Sequence, residues 1–166
     1  MGFKKTSDII AVSFGLTESA ANTYTQEEIA LQLDVLNNEI FVVLAADINP
    51  ETPELVPGST TATNSALTST SSATMANLSD SNCIARAQLV IRSAGGEAVP
   101  FSRAAEEAYA ANLDYIALIS TNNFFVSVQG SNNSAARSVS GRLWGYRARA
   151  DATTYAALVQ SEVLSR

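Results

Sequence analysis

The sequence predicts a mainly β fold: an antiparallel β-sandwich of about seven or eight strands on a jelly-roll or Greek-key-like path. One or two short helices accompany it, one of them C-terminal. Three observations carry that expectation. Short runs alternate apolar and polar residues with period two, as in Ile10, Val12, Phe14 and again in Phe124, Val126, Val128. Asn-, Ser- and Gly-rich turns separate the runs, and one long excursion (49–82) gives the chain room to cross between sheets. The whole chain, 1–166, reads as a single β-sandwich domain in which 49–82 is irregular or arm-like. At 166 residues it can build a real core without disulfides or metal.

In chain order, Ile9–Leu16 is expected as the first strand and Thr17–Tyr24 as a loop. Thr25-Gln26-Glu27-Glu28 has capping-box spacing, yet Ile29, Leu31, Leu33 and Val35 alternate strictly, so period two wins and a strand is expected. Asn37-Asn38 supplies a hairpin turn into an apolar strand, Glu39–Ile48, with Ile40 and Val42 as core. Prolines interrupt regular structure after Asn49, and Thr60–Thr70 reads as an ordered arm or exposed edge strand. Cys83–Ser93 alternates as a strand that shows Arg86 and Arg92 outward, and Ala94-Gly95-Gly96 ends it. Ser102–Leu113 is rich in Ala and Glu and predicts a short helix with Ser102 as N-cap. Asp114–Gln129 reads as a central hairpin: Tyr115–Thr121 and Phe124–Gln129 flank Asn122-Asn123, with Phe124, Val126 and Val128 facing the core. In the long strand Ser138–Ala150, Trp144 and Tyr146 are assigned to the core face, and Leu143, Arg147 and Arg149 to the opposite face. Asp151 is the expected N-cap of a closing helix over Ala152–Leu164.

Composition excludes much chemistry. There is no histidine, which removes Ser-His-Asp and Cys-His catalysis, and the single Cys83 leaves no basis for a zinc site. No glycine-rich phosphate loop exists, and Glu27/Glu28 and Glu106/Glu107 are adjacent pairs whose side chains diverge on either a helix or a strand. The expectation is a protein that is not an enzyme, with no cofactor, no metal and no membrane span. An oxygen-rich turn, Asp47, Asn49, Glu51 and Glu54, is the only calcium candidate, and it lacks the glycine and spacing of a calcium loop.

Charged residues make up 16% of the chain, against a typical ~25% for soluble domains. A skin poor in long charged side chains costs little to dehydrate, which favours contact with other molecules. Residues 1–82 hold ten acids and two bases, and 83–166 hold six acids and eight bases. Either one half attracts the other half of a neighbouring copy, or the halves interleave within the fold. Arg142, Leu143, Arg147 and Arg149, with Arg86 and Arg92, form the expected interface; Arg137 extends the basic cluster.

These features lead to a self-assembling structural subunit. Short strands, Asn-rich turns, the basic tip Lys4-Lys5 and a closing C-terminal segment together resemble small jelly-roll virion coat proteins. The resemblance is one of general character and rests on no motif. It implies a high-order homo-oligomer in a virion, formed of copies of itself and in contact with other virion proteins and the genome. A net charge of -6 argues against nucleic acid as the main partner. The alternative class is a non-catalytic binding module on an extracellular surface, carbohydrate-binding or adhesin-like, in which Trp144, Tyr146 and Tyr115 supply stacking surfaces.

Overall fold

The computed structural model describes residues 2–103, 105–107 and 114–164. Eleven strands and one α-helix follow in the order β1 (Phe3–Lys5), β2 (Ile10–Thr17), β3 (Thr25–Ala30), β4 (Glu39–Pro50), β5 (Thr61–Thr68), β6 (Cys83–Ala94), β7 (Glu97–Arg103), β8 (Ala105–Glu107), β9 (Ala117–Ile119), β10 (Asn123–Ser131), β11 (Ser138–Ala150) and α1 (Ala152–Leu164). They form two antiparallel sheets. In sheet A, β1 and β2 pair along one edge of β11, β11 pairs with β4, and β8 and β9 pair along the far edge of β4. Sheet B has the order β3-β10-β5-β6-β7.

The pairings are nested. β5 meets β6, β4 meets β8 and β9, β3 meets β10, and β2 meets β11. The chain is therefore one long hairpin, doubled back near 69–82 and rolled until alternate pairs fall in opposite sheets. That is a jelly roll. It settles the charge question in favour of interleaving, since each strand of the acidic first half lies against a strand of the second.

The core between the sheets draws Phe41, Val43, Ala46 and Ile48 from β4, Leu143 from β11, and Leu67, Ala85, Ala87, Phe124, Val126 and Val128 from sheet B. Phe14 and Phe124 meet edge to face at 6.0 Å. A second cluster lies on the far side of sheet A. There Ile40, Val42, Ala148 and Ala150 pack beneath α1 with Phe3, Tyr115, Tyr146, Tyr155 and Leu158. Asp151 caps the helix by accepting from the Thr154 backbone N–H at 2.7 Å, which holds its carboxyl below the usual aspartate range. At the other end of α1, the buried Glu162 accepts from the backbone N–H groups of Ser120 and Thr121 at 2.7 and 3.1 Å.

Several expectations are corrected. Asp114–Gln129 is not a hairpin: β9 belongs to sheet A and β10 to sheet B, so Asn122 sits in a corner between layers. Its carbonyl accepts from Leu31 N–H at 2.9 Å and its side chain from Leu33 N–H at 2.5 Å, which fastens the opposite corner. That corner replaces the second expected hairpin. β3 stops at Ala30, Gln32 turns to φ 54°, and a single 3-10 turn at Val35–Asn37 leads to Asn38 at φ 56° before β4 starts in the other sheet. The segment predicted helical from Ser102 is strand through Arg103 and again over Ala105–Glu107, where it pairs with Ala46–Ile48; 108–113 lie outside the described residues. Pairing with an open sheet edge outweighs helix propensity there. Thr61–Thr68 is neither arm nor edge. It is the middle strand of sheet B, and every residue but Asn64 is buried.

Candidate functional site

Strand β11 carries four of the six residues expected at an interface, Arg142, Leu143, Arg147 and Arg149, and the structure reverses its two faces. Leu143 is fully buried in the inter-sheet core, so it cannot be an interface residue. Trp144 is half-buried on the outward face. The cause is visible at Gly141 and Gly145, which share the inward face with Leu143. A Cβ at Gly141 would meet the Phe14 ring at 2.6 Å, and one at Gly145 would meet the Phe41 ring at 2.5 Å. Aromatic rings from β2 and β4 fill the inward space that β11 leaves empty. A register shift between Trp144 and Gly145 then separates two regions of the outward face. Tyr146, on the far side of the shift, packs in the cluster under α1, with the Lys5 ammonium 5.0 Å from its ring centre. Tyr115 sits in the same cluster, edge to face with Phe3 at 5.9 Å. Neither tyrosine offers an open stacking surface.

On the near side of the shift the register sets Ala11, Trp144 and Ala45 abreast across β2, β11 and β4. Ser13, Arg142, Asp47 and Glu106 of β8 form the next row, and Ser140 and Asn49 lie in the one after. Arg142, Asp47 and Asn49 are exposed, and together with Trp144 they border a shallow depression of about 330 Å³.

The four oxygen-bearing residues considered for calcium are thus divided. Asp47 and Asn49 face this depression, whereas Glu51 and Glu54 face Arg137 at 3.3 Å each. Ser138 holds the Glu51 carboxyl below its ordinary range through side-chain and backbone hydrogen bonds, and Ser134 does the same for Glu54. Among the described residues no cluster of acids is arranged to hold a metal ion.

The arginines are also divided. Arg147 is committed within the chain: its guanidinium donates to the carbonyls of Leu31 at 2.8 Å and Gln32 at 3.2 Å, and lies 3.6 Å from the Glu39 carboxylate. It closes the open end of the sandwich at the β3–β4 corner. Arg86 donates to the side chains of Asn64 and Asn77. Arg92, Arg142 and Arg149 remain exposed. Lys4 lies directly across from Arg149, because β1 zips the N-terminal tip onto β11.

One polar centre escaped the sequence reading. Glu18 is 4% exposed, yet it accepts three backbone N–H bonds, from Thr23 and Arg137 at 2.8 Å and from Gly130 at 3.0 Å. Beside it the buried Asn133 accepts from Glu54 N–H and donates to the Ala62 carbonyl, and it exchanges bonds with Asn22. An isolated Glu in a polar loop gives no periodic signal by which to find it.

Large apolar side chains stand in solvent at several corners and along one edge. Leu36 is 95% exposed on the 3-10 turn next to Val35, Leu55 and Leu78 lie in loops, and Val99 and Phe101 line the edge strand β7. No helix among the described residues is long and apolar enough to cross a membrane.

No family model matches the chain, and no curated protein matches it in sequence. Among solved structures, a chain of Desmodium yellow mottle tymovirus is similar over 84% of this chain and 87% of that one. The identity is 7% and the TM-score 0.30. A likeness at that level decides nothing about what the chain does.

Proposed function

We propose that the chain is a non-catalytic structural subunit that assembles with copies of itself, of the virion-coat kind, into a shell or filament. The observation that carries this reading is the set of exposed leucines, valines and Phe101 on a body in which only 16% of the residues are charged. A fully buried Leu or Phe contributes about 1.5–3 kcal/mol relative to exposure. Leu36 at the tip of a corner is shaped to insert into a neighbour rather than to serve its own fold. The opposed charge of the two chain halves does not support assembly, because the fold pairs those halves within one molecule. Other virion proteins as partners, genome contact and a virion location follow from the resemblance alone. An extracellular surface assembly would use the same contacts.

Sedimentation and negative-stain microscopy of the purified chain test the reading. Closed shells or filaments are expected at high protein concentration. Leu36→Asp should raise the concentration needed for assembly at least about tenfold. Its melting temperature should be unchanged, because the side chain touches little of its own fold. A monodisperse species near 17.5 kDa at every concentration would overturn the proposal.

A further inference from the structure

The outward face of sheet A changes character at the register shift in β11. On one side α1 covers it; on the other the Trp144 ring stands half-open to solvent beside three polar side chains. A lone indole on a solvated strand face is poorly explained by folding, since it gains only part of the burial that a core position offers. Its neighbours in the row are Ala11 and Ala45, too small to cover the ring faces. The next rows present Arg142, Asp47 and Asn49, and among the described residues none of these three side chains has a hydrogen-bonding or ionic partner. Arg142 and Asp47 are direct register neighbours of opposite charge, yet no ion pair joins them.

From this we infer a binding site for a neutral glycan, with a pyranose ring stacked on Trp144 and its hydroxyls bonded to Arg142, Asp47 and Asn49. The chemistry matches term by term. A pyranose has an apolar C–H face that lies flat on an aromatic ring, and hydroxyls that each donate and accept. A guanidinium supplies only donors, a carboxylate only acceptors, and an amide both, so the three groups together satisfy a polyol. Along this row Arg142 is followed by two acidic residues, Asp47 and Glu106, so the row carries no net positive charge, which disfavours a phosphate or a nucleic-acid backbone. From the row of Trp144 to the row of Ser140 the surface extends about 14 Å along the strands, long enough for a short oligosaccharide. Every residue of the site belongs to one chain, so the unassembled subunit carries it whole.

Because Trp144 is the chain's single tryptophan, its emission reports this site alone. The full chain, held dilute enough to stay unassembled, is titrated with maltohexaose, cellohexaose and chitohexaose, and with a heparin hexasaccharide as the anionic arm. A saturable change in emission with at least one neutral sugar is expected. Arg142→Ala and Asp47→Ala should each weaken it at least about tenfold while the circular dichroism and melting temperature stay unchanged. Trp144→Ala, followed by calorimetry, should abolish binding. The inference is overturned if no neutral sugar gives a saturable change or if binding is confined to heparin. Affinity that survives both Arg142→Ala and Trp144→Ala would overturn it as well.

Discussion

Replacing Glu18 should be among the most damaging single changes outside the apolar core. Its carboxylate is 4% exposed and receives three backbone N–H groups from three different segments, at Thr23, Gly130 and Arg137. Glu18→Ala leaves three donors short of a partner. Each buried unsatisfied donor costs about 1–3 kcal/mol, and partial water entry into the vacated space lowers the sum, so a loss of about 3–5 kcal/mol is expected. Glu18→Gln is the sharper test. It preserves size but offers one acceptor oxygen and turns an NH₂ group toward an N–H donor. If the oxygen keeps Thr23 and Gly130, the Arg137 amide faces another donor, and the cost is about 2–3 kcal/mol. Equilibrium urea unfolding at neutral pH, compared at equal m-values, measures both. If both variants unfold within about 0.5 kcal/mol of the parent, the carboxylate does not organise this end of the sandwich, and the argument fails.

Other outcomes follow from the same geometry. Trp144→Ala should cost only about 1–2 kcal/mol in urea unfolding, well below a core tryptophan, because the ring is half-open. Arg147→Met should destabilise by about 1–2 kcal/mol through the two carbonyls it abandons, so a charge reversal there would confuse folding with assembly. Arg149→Glu tests a contact role with the fold spared. Asp151 has a depressed folded pKa, so its capping contribution is present above about pH 4 and is lost as pH falls through the folded value. Amide exchange in α1 should rise selectively in that acid range, and Asp151→Asn should flatten the dependence. Pro100, which cannot donate from the edge strand β7, should guard that edge. Pro100→Thr should increase light scattering on heating.

Alternation in the sequence reveals strands wherever one face is buried and the other wet, as in β2, β6 and β10. It does not say which sheet the next strand joins. Asn37-Asn38 and Asn122-Asn123 have the chemistry of tight turns, and Asn38 does adopt the left-handed conformation. Both nevertheless open onto the opposite sheet, because the partner strand comes from far along the chain. A tight hairpin that the residues do encode lies at Gly95-Gly96, both at positive φ, where Ala94 closes against Glu97. β5 was hidden for a different reason. Its Thr, Ser and Ala residues resemble a linker, yet Ser65 donates to the Ser127 carbonyl and Thr61 to that of Glu54, so these two hydroxyls enter the interior already bonded, while that of Thr63 is buried without a partner among the described residues. On β11 hydrophobicity pointed Trp144 inward. The glycines four apart at 141 and 145 carried the better signal, since they mark where neighbouring rings need room. Glu18, Asn133 and Glu162 act mainly through backbone groups remote in sequence, and no spacing betrays them.

The doubled-back path also governs how the molecule comes into being. Synthesis delivers β2, β3 and β4 long before β11, β10 and β9 exist to receive them, so the first half of the nascent chain waits with apolar strands unmatched. The N-terminal tip finds its place only after the last strand has emerged, because β1 pairs with β11. Such long-range pairing makes for slow folding and for vulnerability to wrong partners during translation. Cutting the chain short at its C-terminal end would therefore strand its beginning as well.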